Sequence, residues 1–395
     1  MNKLIILFLA IPALCFGQAK INFNQGNILQ KQFLDTIPFE YVRDKMIVDV
    51  LINKKKKRFI FDTGATLIIS NELQAEMNNE LIDSVIQIDA VGNRKKVNTV
   101  SVKEFDLGSI TFQKIPAIVN NIVETGFISC LNVDGLIGSN SLRNCIVQID
   151  LQKKQLILTN NIEKLNTTDS FSTPLILDKQ SGPHIKVKLG STVDFDALFD
   201  SGSDDFITLS EKTYSKVRKK KLSHLTNEGF GTTTSSIHGL DKVEKKQRVT
   251  IASIDFGQYS IQNFYTVISD GYREDAFGIM LAKYGKVTID YINKKFYFQP
   301  LQQIQKYADI TMFGFLPDFE KEIYKIGIVW TNSQAEKLGL KKGFRILKIN
   351  DIDLSQRTPL SDCAFFMAQP FKKSKIDLTY VDDNGETNKI TLQQE

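Results

Sequence analysis

Three large apolar residues that run straight into an acid constrain this chain more than any other stretch: Phe59-Ile60-Phe61-Asp62-Thr63-Gly64-Ala65-Thr66. The run reads as a buried strand, and a carboxylate at its end stands at the edge of a core, where an unpaired charge is costly. Alone, Asp-Thr-Gly is an ordinary turn, because Asp and Gly both satisfy turn backbone. The stretch has a twin, Ala197-Leu198-Phe199-Asp200-Ser201-Gly202-Ser203, 138 positions on (200 minus 62). Other landmarks repeat in step. Asp106-Leu107-Gly108 is matched by Asp255-Phe256-Gly257, Leu136-Ile137-Gly138 by Ala276-Phe277-Gly278, and the strand ending at Asp150 by the one ending at Asp290. From the acid to the apolar-apolar-glycine is 76 positions in the first copy (138 minus 62) and 78 in the second (278 minus 200). Chance does not hold several landmarks in order at near-constant spacing, so the chain contains two homologous, strand-rich lobes.

At 395 residues the chain exceeds one ordinary core, and two or three domains are expected. Its 50 basic and 45 acidic residues are scattered, and the net +5 is too mild for a nucleic-acid partner. Lys3, the apolar run Leu4 to Leu14, and Cys15-Phe16-Gly17 read as a secretory signal cleaved after Gly17. The apolar run is shorter than the roughly 20 residues that span a bilayer, so an exported protein, periplasmic or secreted, without a membrane span is expected. Three cysteines then remain; Cys130 and Cys145 lie in one lobe and either pair or stay as buried thiols. His184, His224 and His238 are scattered and no zinc spacing occurs, so neither a metal, a cofactor nor a His-based triad is expected. His238 reads as an exposed loop residue.

The polar stretch from Gln18 to about Thr36 leads into a hairpin, Lys45 to Ile52 and the strand into Asp62, with the lysine run Lys54 to Lys57 at a solvated tip. Ser70-Asn71-Glu72-Leu73 reads as a helix start, and a second hairpin turns at Val91-Gly92-Asn93. Past Pro300 the pattern changes to α/β: Met312-Phe313-Gly314-Phe315, a strand from Ile323 to Trp330, a short helix near Ala335, the strand Ile346 to Asn350, a helix from about Leu360 to Gln369, and a hairpin turning at Asp383-Asn384-Gly385. The expected layout is a signal (1–17), an N-terminal segment (18–36), lobe one (37–160), lobe two (161–300) and a C-terminal module (301–395).

Two lobes that each end a buried strand on Asp, Thr or Ser, and Gly can pack about a pseudo-twofold axis with Asp62 facing Asp200. Carboxylates that close cannot both ionise easily, so they share a proton. The ionised member can take a proton from water that attacks a peptide carbonyl, while the protonated one supports the oxyanion. Gly64 and Gly202 permit the tight turn, and Thr63 and Ser201 supply hydroxyls to tie the turns across the axis. At the fourth position Ser203 can hydrogen-bond Asp200 while Ala65 offers Asp62 nothing, which favours Asp200 as the more readily ionised acid, and the neighbouring Asp204 and Asp205 push the other way.

On these residues, from about Ile37 to Pro300, the chain resembles the two-lobed aspartic proteases, pepsin- and retropepsin-like, and the Asp-Thr-Gly-Ala form resembles the retroviral type. The resemblance implies a mainly β fold of two β-rich lobes, catalytic Asp62 and Asp200, and Leu136-Ile137-Gly138 and Ala276-Phe277-Gly278 packed behind the catalytic turns. It also implies a peptide or protein substrate. Pepsin-like enzymes carry a flap tyrosine, which is missing between Asp62 and Asp106; Val91-Gly92-Asn93 then forms a shorter flap, with Thr232 to Leu240 as its counterpart. The C-terminal module resembles a PDZ domain, which implies a peptide-binding loop at Phe313, Gly314 and Phe315, a groove wall within Pro359 to Gln369, and a C-terminal peptide ligand for tethering or regulation. The competing class is an inactive peptide-binding protein with the same bilobal cleft.

Overall fold

The computed structural model describes residues 21–121, 126–269, 274–302, 304–306, 312–320 and 323–395. The signal stretch lies outside them. The first hairpin joins Lys45–Ile52 to Lys55–Asp62. Its turn is only Asn53-Lys54, both left-handed (φ 51° and 64°), as a two-residue turn matching strand twist requires. Most of the lysine run is therefore strand rather than tip: Lys55 and Lys57 pair with Glu76, and Lys56 with Asp49. Beyond the first acid, the hydroxyl of Ser70 accepts from the Leu73 N–H and starts the helix Asn71–Met77.

The repeat is visible in register. Gly135–Gly138 pairs in parallel with the first acid strand, Gly138 opposite Asp62; Ala276–Gly278 pairs in parallel with the second, Gly278 opposite Asp200. The closing strands Ile146–Asp150 and Gly285–Asp290 pair antiparallel, with Gln148 opposite Thr288 and a 2.9 Å hydrogen bond between their side chains. Each stands two residues before its terminal Asp, so equivalent positions face each other and a local twofold axis passes between them. Leu34–Pro38 pairs with Gln155–Thr159 as Phe171–Pro174 pairs with Lys295–Phe298. Residues 34–36, expected in a polar lead-in, thus belong to the sheet, and Asn27–Ile28 pairs with Phe112–Gln113. One apolar core runs through both copies, with Phe61, Phe112, Ile137 and Val147 from the first and Phe199, Phe256, Phe277 and Val287 from the second.

The C-terminal module has its own core around Tyr324, Ile346, Ile376 and Leu378. Its sheet runs in the order Phe315–Glu320, Ile323–Val329, Arg345–Ile349, Lys375–Val381, Thr387–Gln393. The first of these strands is hidden in the sequence, since Pro317 and two acids break the alternation; as an edge strand it tolerates the proline. Thr358 caps the helix Pro359–Ala368 with a capping box. Of the two readings open for Cys130 and Cys145, their pairing does not occur, and only Cys145 is a buried thiol. Cys130 bonds Cys363, 233 residues away, with 5.2 Å between Cα atoms, while Cys145 is a free thiol sealed in the core of the first repeat. The C-terminal module is thereby covalently joined to the first repeat.

Candidate active site

The two Asp-Thr/Ser-Gly turns meet at buried Thr63 and Ser201, both without solvent exposure. Thr63 Oγ1 donates to the Phe199 carbonyl (2.6 Å) and accepts from the Ser201 N–H (3.0 Å). Reciprocally, Ser201 Oγ donates to the Phe61 carbonyl (3.0 Å) and accepts from the Thr63 N–H (3.0 Å). Each hydroxyl thus satisfies one donor and one acceptor of the opposite strand, which locks the turns across the axis. The acids come as close as their glycines permit. A Cβ added at Gly64 would stand 2.4 Å from Asp200 Cγ, and one at Gly202 would stand 2.3 Å from Asp62 Cγ. The backing strands approach as tightly: a Cβ on Gly138 would lie 2.1 Å from the Thr66 carbonyl carbon and one on Gly278 2.0 Å from the Asp205 carbonyl oxygen. This close approach of backbone to backbone is the physical reason for the apolar-apolar-glycine pattern.

The halves are unequal. Asp62 Oδ1 accepts from the Gly64 N–H (2.9 Å), whereas Asp200 Oδ1 accepts from both Gly202 (2.9 Å) and Ser203 (3.2 Å). Ser203 therefore supports Asp200 through its backbone, not its hydroxyl, which accepts from the Asp205 N–H (3.3 Å). Burial, the charge of Asp200 and a hydrogen bond with that carboxyl push Asp62 well above the usual carboxylate range, against the Gly64 N–H and the Lys45 charge. Behind the first turn Ser139 Oγ donates to the Thr63 carbonyl (2.6 Å) and meets the Tyr291 hydroxyl (2.9 Å) of the second repeat. The equivalent position in the second copy is Ile279. Lys45, which nothing in the sequence singled out, reaches from the first repeat to the Gly202 carbonyl (2.6 Å) and lies 3.7 Å from Asp204.

Val91-Gly92-Asn93 forms the expected turn, with Gly92 left-handed (φ 85°). The buried carboxylate of Asp89 holds it, accepting from Val91 (3.2 Å) and Asn93 (2.8 Å) N–H groups. The turn meets the loop expected as its counterpart: Asp89 Oδ2 accepts from the His238 N–H (3.2 Å) and Asn93 Nδ2 donates to the Leu240 carbonyl (3.2 Å). His238 is consequently half-buried rather than an exposed loop residue. In the C-terminal module Phe313 and Phe315 do not line a loop surface. Both are 1% exposed and turn inward onto Phe371, at 5.9 and 5.5 Å between ring centroids. Gly314 between them is left-handed (φ 76°), and its carbonyl accepts from the Trp330 N–H (2.8 Å). Among the described residues no cluster of His, Cys, Asp and Glu could hold a metal ion, and no helix is long and apolar enough to cross a membrane.

A family model described as "Aspartyl protease" matches residues 48–141, the span that carries Asp62, its turn and its backing strand. No curated protein matches the chain. Among solved structures it is similar to basic 7S globulin from soybean, at 9% identity over 68% of this chain and 95% of that one, with a TM-score of 0.43. It is also similar to a retropepsin-like aspartic protease from Rickettsia conorii, at 17% identity over 34% of this chain and 95% of that one, with a TM-score of 0.24. The chain is mainly β, and the stretch 48–141 within it is similar to the aspartyl protease family.

Proposed function

We infer that this protein is an exported aspartic endopeptidase whose two acids, Asp62 and Asp200, activate one water between them. The observation that carries this reading is the reciprocal Thr63–Ser201 lock, which brings two carboxyls together with only glycine between them and their neighbours. Asp200, with two N–H donors on one oxygen, acts as the base that takes a proton from water. Asp62, held protonated by burial and by its neighbour, gives its proton to the carbonyl oxygen as the hydroxyl adds to the peptide carbon. The product is a neutral gem-diol, with the proton from water now on Asp200. That proton then passes to the amide nitrogen as the C–N bond breaks, while one gem-diol hydroxyl returns its proton to Asp62 and re-forms the carbonyl. The turn at Val91-Gly92-Asn93 and the loop Thr232 to Leu240 form a two-part flap. Export is supported by the Cys130–Cys363 bond, of a kind that persists in oxidising compartments, and by the apolar stretch after Lys3. The C-terminal module, PDZ-like in its order of elements, regulates the first repeat from a fixed position.

The test is cleavage of a fluorogenic peptide library at several pH values by the wild type, Asp62→Asn and Asp200→Asn, with and without a statine-containing transition-state mimic. Activity is expected in the wild type alone, blocked by the mimic. Cleavage that survives in either variant refutes the shared-carboxylate mechanism, and wild-type binding of peptides without cleavage makes the protein a binding module.

A further inference from the structure

The residues Gly126–Leu131 form a 3-10 helix of the first repeat. At three residues per turn, positions three apart stand over one another, so Phe127 and Cys130 share a face. On the helix Pro359–Ala368, Cys363 and Phe366 are likewise three apart and neighbours. The two faces meet at both positions. Phe127 stacks on Phe366, with centroids 4.6 Å apart and planes 10° from parallel, and Cys130 is bonded to Cys363. Phe127 also meets Phe319 edge to face at 5.4 Å, and Phe319 lies on the edge strand Phe315–Glu320. The aromatic ring therefore stands between the edge strand of the sheet and the helix beside it. Two cations close the site, Arg357 over Phe319 at 4.8 Å and Arg43 over Phe366 at 4.3 Å.

We propose that Gly126–Leu131 is an intramolecular ligand of the C-terminal module, seated in the groove between the strand Phe315–Glu320 and the helix Pro359–Ala368 with Phe127 as its anchor and Cys130–Cys363 as its latch. A groove between an edge strand and a helix is a peptide-binding surface in its own right; here the chain supplies the peptide. Tethering raises the local concentration of such a ligand to the millimolar order, and the disulfide removes dissociation altogether, so a free peptide of micromolar affinity cannot compete. The seat is also connected to the catalytic turn. Cys130 stands five positions before Gly135, where the strand behind Asp62 begins. Leu131 and Phe366 belong to the same apolar cluster as Ile60 and Leu136. The proposal concerns binding and stands apart from the peptidase reading.

The probe is a fluorescein-labelled hexapeptide, Gly-Phe-Ile-Ser-Ser-Leu, which is the segment with serine in place of its cysteine. Binding is read by polarisation on the full chain carrying Asp62→Asn, so that cleavage cannot intervene. The oxidised protein is expected to show no binding up to about 100 μM. The same protein with Phe127→Ala, Cys130→Ser and Cys363→Ser is expected to bind saturably. Equal binding by both proteins, or none by a folded triple variant, overturns the proposal. Hydrogen exchange on the unsubstituted chain provides a second reading that requires no variant. After reduction with dithiothreitol, confirmed by thiol counting, exchange is expected to quicken in 126–131, 315–320 and 359–368 ahead of the rest. Unchanged exchange there refutes the latch.

Discussion

Replacing Thr63 with valine tests whether the lock across the axis holds the site together. Valine keeps the shape of threonine but removes its hydroxyl, so the Ser201 N–H loses its acceptor and the Phe199 carbonyl its donor. Both sit where no water reaches, since Thr63 and Ser201 have no exposed surface. An orphaned buried polar group costs about 1–3 kcal/mol, giving about 2–6 kcal/mol for the pair. Ser201→Ala strands a different pair, the Thr63 N–H and the Phe61 carbonyl, at a similar cost. Because the stranded groups do not overlap, the double variant should lose the sum if the turns stay closed, and less if the first substitution already opens them. A double-mutant cycle therefore reports whether the lock acts as one unit. Each kcal/mol lowers the melting midpoint by about 2–4 °C in a domain of this size, so each single variant should melt at least about 4 °C below wild type. Calorimetry makes the measurement, with kcat/KM followed in parallel. Melting within about 1 °C of wild type for both single variants would mean that the four hydrogen bonds do not hold the turns, and the reasoning fails.

Two further outcomes follow from the same geometry. The folded pKa of Asp62 lies above its usual value of 3.8, so its contribution to stability is full below that value and is lost as pH rises through the folded pKa. Asp62→Asn should therefore melt higher than wild type at neutral pH, with the gain vanishing as pH falls toward 3.8, while activity is abolished; melting curves across pH check the sign, and a variant less stable than wild type at pH 7 refutes it. Gly202→Ala drives a methyl to within 2.3 Å of Asp62 Cγ and should lower kcat by about 100-fold or more, since a displacement near 1 Å costs that much. Circular dichroism is the control, and near-wild-type turnover rules the close approach out.

What could be read from the sequence was whatever the duplication wrote twice. Asp62 and Asp200, their hydroxyl neighbours and the glycines behind them keep constant spacing in two copies, and coincidence rarely does that. Features present in one copy only gave no such signal. Lys45 is one strand-start lysine among many, and its reach to the Gly202 carbonyl depends on the packing of the repeats. Asp89 was more legible, because an Asp two residues before Val-Gly-Asn is a turn-forming acid; its bond to the His238 N–H was not. The actual disulfide was illegible for a different reason. Cys130 and Cys145 are close in sequence, but Cys145 enters a core strand with no exposed surface, and the partner of Cys130 lies in another module. Proximity along the chain says nothing about a contact made by docking. Likewise Phe313-Gly314-Phe315 has the composition of a loop motif, yet which way its two rings turn depends on Phe371, nearly sixty residues on, against which both are buried.

Duplication explains how the acids meet but not how their surroundings come to differ. Two identical halves would share the proton evenly, and neither carboxyl would be committed as acid or base. Each departure from symmetry around the turns bears on that commitment. Position four is Ala65 in one copy and Ser203 in the other, and the second N–H on Asp200 comes from that residue. Behind the first turn stands Ser139, bound to Thr63 and Tyr291; behind the second stands Ile279, which offers no hydroxyl. The C-terminal module adds a larger asymmetry, since the chain enters it from the second repeat while its disulfide ties it to the first. A single chain can hold such differences, whereas a symmetric pair of identical subunits cannot before substrate arrives. The two acids therefore sit in unlike surroundings, with one backbone N–H on Asp62 and two on Asp200.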